Sequence, residues 1–461
     1  MNNITIAQQV LGFIQMCYND TTSDFELHYK KGIAVVGAHF GDCGKGKFDD
    51  LIIRKYKEEG YKVINIRGQG GGNAGHTVIN EFGKFALHLL PSGIFHKDIV
   101  NILGNGVALD PENLFKEIES VRAQGVTVTP DNLKISERCS LLLPWHRDMD
   151  GYEEERLGAH KYGSTRQGIA PFYSDKYRKK TVMAGELFYP DHLKEHLDEL
   201  LEWNNISLEK VYDRSGYTVQ QLNEWIETYC DPLKPFITDT TDYLIKAQKN
   251  NRNILFEAQL GTLRDLDYGI YPYTTSSNTL ARYGPIGAGL PSMKTDRIIG
   301  VVKAYSTCVG EGPFVGEMSG EDADRLREAG NEYGAKTGRA RRVAPLDLVA
   351  TKYGVEIQGA DEIALTKLDI LSYMEKIPVI TGYRIDGQIT DRFPFPVLLE
   401  KAEPVISYVE GFHCDISQIR EYDHLPQAAR DYIKLIEDAL EVPVTYISVG
   451  PARESIIRKQ V

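Results

Sequence analysis

A chain of 461 residues with 42% hydrophobic and 26% charged residues has the make-up of a folded globular protein with room for one large or two to three ordinary domains, which excludes disorder and fibre. Its 65 acidic against 53 basic residues give a formal charge of -12. A general nucleic-acid or anionic-membrane surface is therefore not expected, and any phosphate site has to be built locally. Cys17, Cys43, Cys139, Cys230, Cys308 and Cys414 are scattered, with no C-x-x-C pair, so neither a disulfide framework nor a structural zinc site is suggested. The first 29 residues carry no Lys or Arg, and no apolar run reaches the ~18 to 20 residues of a spanning helix. The expected compartment is the cytoplasm, with no membrane partner.

In chain order, residues 1–30 read as an extension. Ile6, Val10, Leu11, Phe13, Ile14 and Cys17 share roughly one helical face, and a polar stretch from Asn19 to Asp24 follows, which predicts a docking helix and a linker. The first strand is expected at Ile33 to Val36, followed by a glycine-rich turn, a helix marked by Phe48, Leu51, Ile52 and Tyr56 that ends near Gly60, and a second strand at Val63 to Ile66. The same rhythm predicts strands at Asn253 to Phe256, Ile298 to Val302 and Glu362 to Leu365, the last after a helix over Pro345 to Tyr353. The charged segment Leu187 to Asn250 reads as a helical excursion from the sheet. The expected fold is α/β: one large domain over residues 31–461, with a mostly parallel central sheet and helices on both faces.

Chemistry concentrates at the strand ends. Gly41-Asp42-Cys43-Gly44-Lys45-Gly46-Lys47 lies between a strand and a helix, where turning glycines, a helix N-terminus and two lysines make a phosphate cradle. Phe48 stands where a P-loop needs Ser or Thr for magnesium, and Asp42 would repel phosphate unless it binds magnesium or acts as a base. The second loop, Gln69-Gly70-Gly71-Gly72-Asn73-Ala74-Gly75-His76-Thr77, has one proton-transfer side chain, His76. The two loops are expected side by side at the carboxyl ends of neighbouring strands, where open α/β sheets bind ligands. In Thr366-Lys367-Leu368-Asp369 the carboxylate can accept from guanine N1–H and its 2-amino group, a pair adenine lacks, which favours GTP over ATP. Lys336-Thr337-Gly338-Arg339-Ala340-Arg341-Arg342 suits carboxylate or phosphate capture. Gly163 to Gly168 and the basic run Lys176 to Lys180 invite the same reading.

Taken together these residues resemble the adenylosuccinate synthetase family, from about Ile33 to Ile457. The resemblance rests on the loop Gly41 to Lys47, Gly71 to Thr77, HLLPSG from His88 to Gly93, GNGV from Gly104 to Val107, DYGIYPYTTSSN from Asp267 to Asn278, KAYST from Lys303 to Thr307, TKLD, Leu425 to Ala429 and Ser448 to Arg453. It implies a GTP-dependent, P-loop-like ligase in purine nucleotide (AMP) biosynthesis: GTP phosphorylates O6 of IMP, and the amine of L-aspartate displaces that phosphate to give adenylosuccinate, GDP and phosphate. Asp42 then matches a base at purine N1 and a magnesium ligand, and His76 an acid at the transferred phosphoryl group. The Gly75 carbonyl would complete the magnesium shell. GTP would be held by Gly41, Asp42, Cys43, Gly44, Lys45, Gly46, Lys47, Gly75, His76, Thr77 and Arg341, and its guanine by Lys367, Leu368, Asp369, Ser448, Val449 and Gly450. IMP and aspartate would meet Asp42, Lys45, Asn73, Ala74, Thr165, Leu260, Thr275, Ala335, Lys336, Thr337, Gly338 and Arg339. The family is a homodimer in which a basic residue, here Lys179 beside Arg178, reaches the neighbouring monophosphate.

Four departures bear on the acceptor. The glutamate of GDEGKGK is Cys43, and the glutamine or asparagine of EGAQG falls on Leu260, with Gln259 one place earlier. An arginine of GTTGRGIGP becomes Gln167, and the arginine of KAYSTRVG becomes Cys308. They motivate an alternative acceptor such as dGMP or GMP, whereas retention of Asp42 favours IMP. A non-catalytic GTP-binding switch is the further alternative, against which stand both proton-transfer candidates and the arginine loop.

Overall fold

Val35 and Val36 are entirely buried because their strand lies inside a ten-stranded sheet covered on both faces. The computed structural model describes residues 32–334 and 338–460; the extension over residues 1–30 lies outside them, as do Ala335, Lys336 and Thr337. In chain order the sheet strands are β1 (Gly32–Gly37), β2 (Val63–Arg67), β3 (Val100–Leu103), β4 (Leu133–Ser136), β5 (Ile237–Thr238), β6 (Asn253–Glu257), β7 (Arg297–Lys303), β8 (Glu362–Thr366), β9 (Val444–Ser448) and β10 (Ile456–Arg458). Across the sheet they run β10-β9-β8-β7-β1-β6-β2-β3-β4-β5. All pairs are parallel except β9 with β10. The continuous burial of β1, β2, β6 and β8 is what near-uniform apolar runs produce in a parallel sheet.

The first helix, α1 (Lys45–Glu58), buries Phe48, Leu51, Ile52 and Tyr56 on one side of the sheet, against Ile33, Val35 and Leu255. Gly44 caps its start at φ 90°, a left-handed conformation that glycine adopts without a Cβ penalty.

Several expectations shift. β1 and β2 are not neighbours, because β6 is wedged between them and pairs Ile254 with both Gly32 and Ile64. His76 is not a loop residue: it opens a hairpin strand, His76–Asn80, paired with Gly83–Leu87. The helix expected from Pro345 begins at Leu348, since Leu346 and Asp347 pair with Val379 and Ile380 and the Asp347 carboxylate caps the Ala350 amide at 3.0 Å. The excursion forms helices Pro190–Lys210, Val219–Trp225 and Thr240–Lys249, yet it returns to the sheet through β5. An antiparallel sheet of Lys376–Ile385, Gln388–Thr390 and Glu403–Glu410 had no counterpart in the sequence reading. Among the described residues no helix is long and apolar enough to cross a membrane.

Candidate active site

Most of the loops singled out in the sequence leave the carboxyl ends of β1, β2, β6, β7, β8 and β9, so these share one edge of the sheet, whereas Gly163 to Gly168 and the arginine loop follow helices. Asp42 sits in the loop after β1 at φ 53°, and its Oδ2 meets Arg341 Nη2 at 2.6 Å. Two residues before the helix, Cys43 is buried. Lys45, also buried, donates to the Leu260 carbonyl at 2.7 Å. Lys47 reaches across to the loop after β9, donating to Ser448 Oγ at 2.9 Å and the Gly450 carbonyl at 2.8 Å. Burial pulls the Lys47 ammonium down to about 8, opposed by the charge of Asp369. The phosphate loop is thereby tied to the segment that the resemblance assigns to guanine.

His76 is buried and aimed at β6. Its Nδ1 lies 2.5 Å from Glu257 Oε1, while Glu257 also accepts from the Ser92 amide at 2.7 Å, Ser92 Oγ at 2.9 Å and Asn65 Nδ2 at 2.9 Å. Burial favours the neutral form of both partners. For His76 it prevails, and the imidazole falls below its usual value; for Glu257 the His76 bond, the Arg67 charge and the Ser92 amide outweigh it, and the carboxyl is held down at about 2. The pair is therefore a neutral imidazole donating Nδ1–H to a carboxylate, which leaves Nε2 buried as an acceptor without a partner among the described residues. Asp49 from α1 completes the cluster: its ligand atom, with those of His76 and Glu257, lies within 4.8 Å of the others. Among the described residues neither Asp49 oxygen has a partner, and burial, then Glu257, push its carboxyl well above the usual range. Three such side chains could hold a cation, although Lys45 and Arg67 place positive charge on the same site. A second possible metal cluster, Glu186 with His192 and His196, lies partly exposed at the start of the helical excursion.

Glu332 is the hub of the neighbouring region. Entirely buried, it accepts from Lys303 at 3.0 and 3.1 Å, Tyr305 at 2.6 Å, Lys367 at 2.6 Å and Arg341 at 2.6 Å. Burial would raise this carboxyl, but the three cations around it hold it far below the carboxylate range, and burial lowers Lys303 to about 8. Arg341 consequently bridges Glu332 and Asp42, and Lys367 at φ 59° is turned back onto the Gly330 carbonyl. Leu368 and Val449 are fully buried supports, while Asp369 is half-buried.

Beside Asp42 opens a cavity of about 620 Å³ whose lining includes Asn73, Thr165, Leu260 and Thr275. Asn73 Nδ2 donates to Thr275 Oγ1 at 3.3 Å, linking two of these residues. Leu260 holds φ 54°, and its backbone fills the space at Gly41, where a Cβ would lie 2.6 Å from Leu260 Cα. Gln259 does not replace the missing amide in the cavity. It is buried, accepting from the Gly71 amide at 3.0 Å and donating to the Gly71 carbonyl at 2.5 Å. The backbone amides of Tyr162, Gly163 and Ser164 are each taken by the Glu154 carboxylate at 3.0 Å, while Thr165 lines the cavity.

Other expected residues lie apart. Thr77 is exposed, because strand alternation turns it away from the face that buries His76. Lys179 and Arg339 are exposed and do not line the cavity, although Arg178 does. Arg339 pairs with Glu311 at 3.2 Å, and Gly338 at φ 64° borders the undescribed residues 335–337. The sequence reading missed Glu257, Glu332, Asp49, Glu154 and Arg264. Glu257 was within reach, since it ends an apolar strand beside a residue already compared with the family pattern.

A family model described as adenylosuccinate synthetase matches residues 34–457. An adenylosuccinate synthetase of Halothermothrix orenii is 43% identical over 427 residues, covering 92% of this chain and 98% of that one. The solved structure of a fully ligated adenylosuccinate synthetase from Plasmodium falciparum superposes with a TM-score of 0.86 at 33% identity, covering 93% of this chain and all of that one. A succinoaminodeoxyadenylate synthetase of cyanophage S-2L, bound to dGMP and with dATP as energy donor, shares the fold at a TM-score of 0.58 and 20% identity, over 94% and 96% of the two chains.

Proposed function

The chain belongs to the adenylosuccinate synthetase family, and from that premise we propose that it is the GTP-dependent ligase that joins L-aspartate to IMP. The γ-phosphoryl group of GTP passes to O6 of IMP as Asp42 takes the proton from N1. The aspartate amine then attacks C6, and phosphate departs with the O6 oxygen to leave adenylosuccinate and GDP. The observation that carries this reading is the position of Asp42, which belongs at once to the phosphate loop and to the wall of the acceptor cavity.

His76 sits where a phosphoryl group reaching Nε2 would draw a second proton onto the ring, because Glu257 already balances an imidazolium on the other side. Asp42 offers a carboxylate oxygen and Gly75 a carbonyl, hard donors that suit magnesium. Bound there, the ion would neutralise phosphate charge as transfer proceeds. Lys45 and Lys47 supply fixed charge to the same phosphates, and Asp369 with Ser448 frames guanine. Arg341 releases Asp42 to the purine while staying anchored on Glu332. Arg339, Gly338 and the adjoining residues 335–337 take the aspartate carboxylates. The catalytic unit spans residues 31–461 and works in the cytoplasm as a homodimer, in which Lys179 and Arg178 reach the monophosphate of the second copy.

Leu260 favours a second acceptor, dGMP or GMP, because it lines the cavity with an apolar group where the family pattern has an amide; Cys43, which replaces a carboxylate of that pattern, is buried in the core beside it. One assay separates the readings. Protein, GTP, magnesium and L-aspartate are offered IMP, dGMP or GMP while phosphate and the nucleotide product are followed. Product from IMP supports the ligase proposed; product only from a guanine nucleotide transfers the same chemistry to the second acceptor.

A further inference from the structure

The turn after β6 ends in Arg264, a side chain 9% exposed that lines the cavity beside Asp42. Its guanidinium donates to the Tyr273 carbonyl, to the Val309 carbonyl at 2.5 Å and to Cys308 Sγ at 3.0 Å, and it lies 5.0 Å over the Phe40 ring. Among the described residues no carboxylate pairs with it, whereas Arg297 is held by Glu362 and Arg341 by Asp42 and Glu332. Its charge is felt nearby: burial, then Lys303 and Arg264, pull His39 down to about 3. A buried cation held only by carbonyls, a thiol and a ring is incompletely neutralised, and an anionic ligand in the cavity completes it.

The sulfur it touches belongs to Cys308, the position at which KAYSTRVG has arginine. We propose that Arg264 supplies the acceptor cavity, from the adjoining turn, with the guanidinium that the family pattern places at position 308, and that it recognises the anionic ribose-phosphate part of the acceptor nucleotide. The Arg264 carbonyl accepts from the Thr275 amide at 2.9 Å, which places the arginine on the same turn system as a residue assigned to the monophosphate. The inference rests on reading this cavity as the acceptor site. It also explains how Cys308 is accommodated: a second guanidinium at 308 would meet the first.

Calorimetric titration with IMP and with dGMP, alongside KM for each acceptor and for GTP, tests this in wild type, Arg264→Leu and Arg264→Leu/Cys308→Arg. The single variant is expected to weaken monophosphate binding about 10- to 100-fold, the range of a hydrogen-bonded charge, with the KM for GTP changed less than about threefold. The double variant is expected to recover most of that loss. Unchanged monophosphate affinity in Arg264→Leu overturns the proposal. Equal loss for monophosphate and GTP without recovery in the double variant also overturns it, because the arginine would then only brace the fold. A wild type that binds a monophosphate yet forms no adenylosuccinate refutes the proposed function, and the titrations still decide the role of Arg264.

Discussion

The two halves of the site treat their cations in opposite ways. On the side proposed for GTP, Lys303, Lys367 and Arg341 converge on Glu332, and Lys47 is already occupied by Ser448 and Gly450. On the side proposed for the acceptor, Arg264 faces the cavity with only neutral partners among the described residues, and the amides of residues 162–164 are filled by Glu154. A nucleotide entering the first half exchanges partners within a preset network, so its affinity reflects a difference of interactions. A nucleotide entering the second half fills an unmet need, so specificity there rests on few groups.

The largest effect should come from Asp42, which joins the phosphate loop to the cavity, and from His76. Asp42→Asn and His76→Asn are each expected to lower turnover at least ~100-fold while GTP binding is largely kept. Near-normal turnover in either variant, measured by phosphate release, removes that residue's role. Next comes the hub itself. Glu332→Gln leaves three cations without their carboxylate and is expected to cost about 3 kcal/mol of stability in urea unfolding, together with weaker GTP binding. A change below about 0.5 kcal/mol would show that the network is not preset as described.

These contacts mark how far the sequence could be read. The strand-loop-helix around Gly41 to Lys47 was legible because its signal is local: an apolar strand, glycines at a turn, and helical spacing after it. His76 was found but misplaced. Alternation of buried Val78 with exposed Thr77 and Ile79, before a turn ending at Gly83, was the available sign of the hairpin. Glu332 and Arg264 gave no signal at all, since a lone charged residue acquires distant partners only when strands far apart in the chain pair, as when β8 brings Lys367 to Lys303. The order of strands had the same character. Nothing near β1 or β2 announces that β6 will lie between them and place Glu257 beneath His76.

The third expected effect is a pH dependence confined to the GTP half. Lys47 titrates at about 8, so the cation is present below that value and is lost as pH rises through it. The kcat/KM for GTP should therefore fall above pH 8 by about tenfold per unit at its steepest, while Lys47→Arg, charged throughout, should show no such fall. An identical profile in both proteins would assign the titration elsewhere, Lys303 being the next candidate. The smallest effect is reserved for Leu260→Gln, which returns an amide to the acceptor wall. It should alter the IMP to dGMP preference by less than about tenfold, the scale of one neutral hydrogen bond, as read from acceptor competition.

Product analysis with IMP as the acceptor bears most directly on the central claim, that Asp42 serves the phosphoryl donor and the purine together. With GTP, magnesium and L-aspartate, the wild type should release one phosphate for each adenylosuccinate formed, and Asp42→Asn should do neither while still binding GTP. Aspartate-dependent product at wild-type rate from Asp42→Asn, or none from the wild type with IMP, would contradict it.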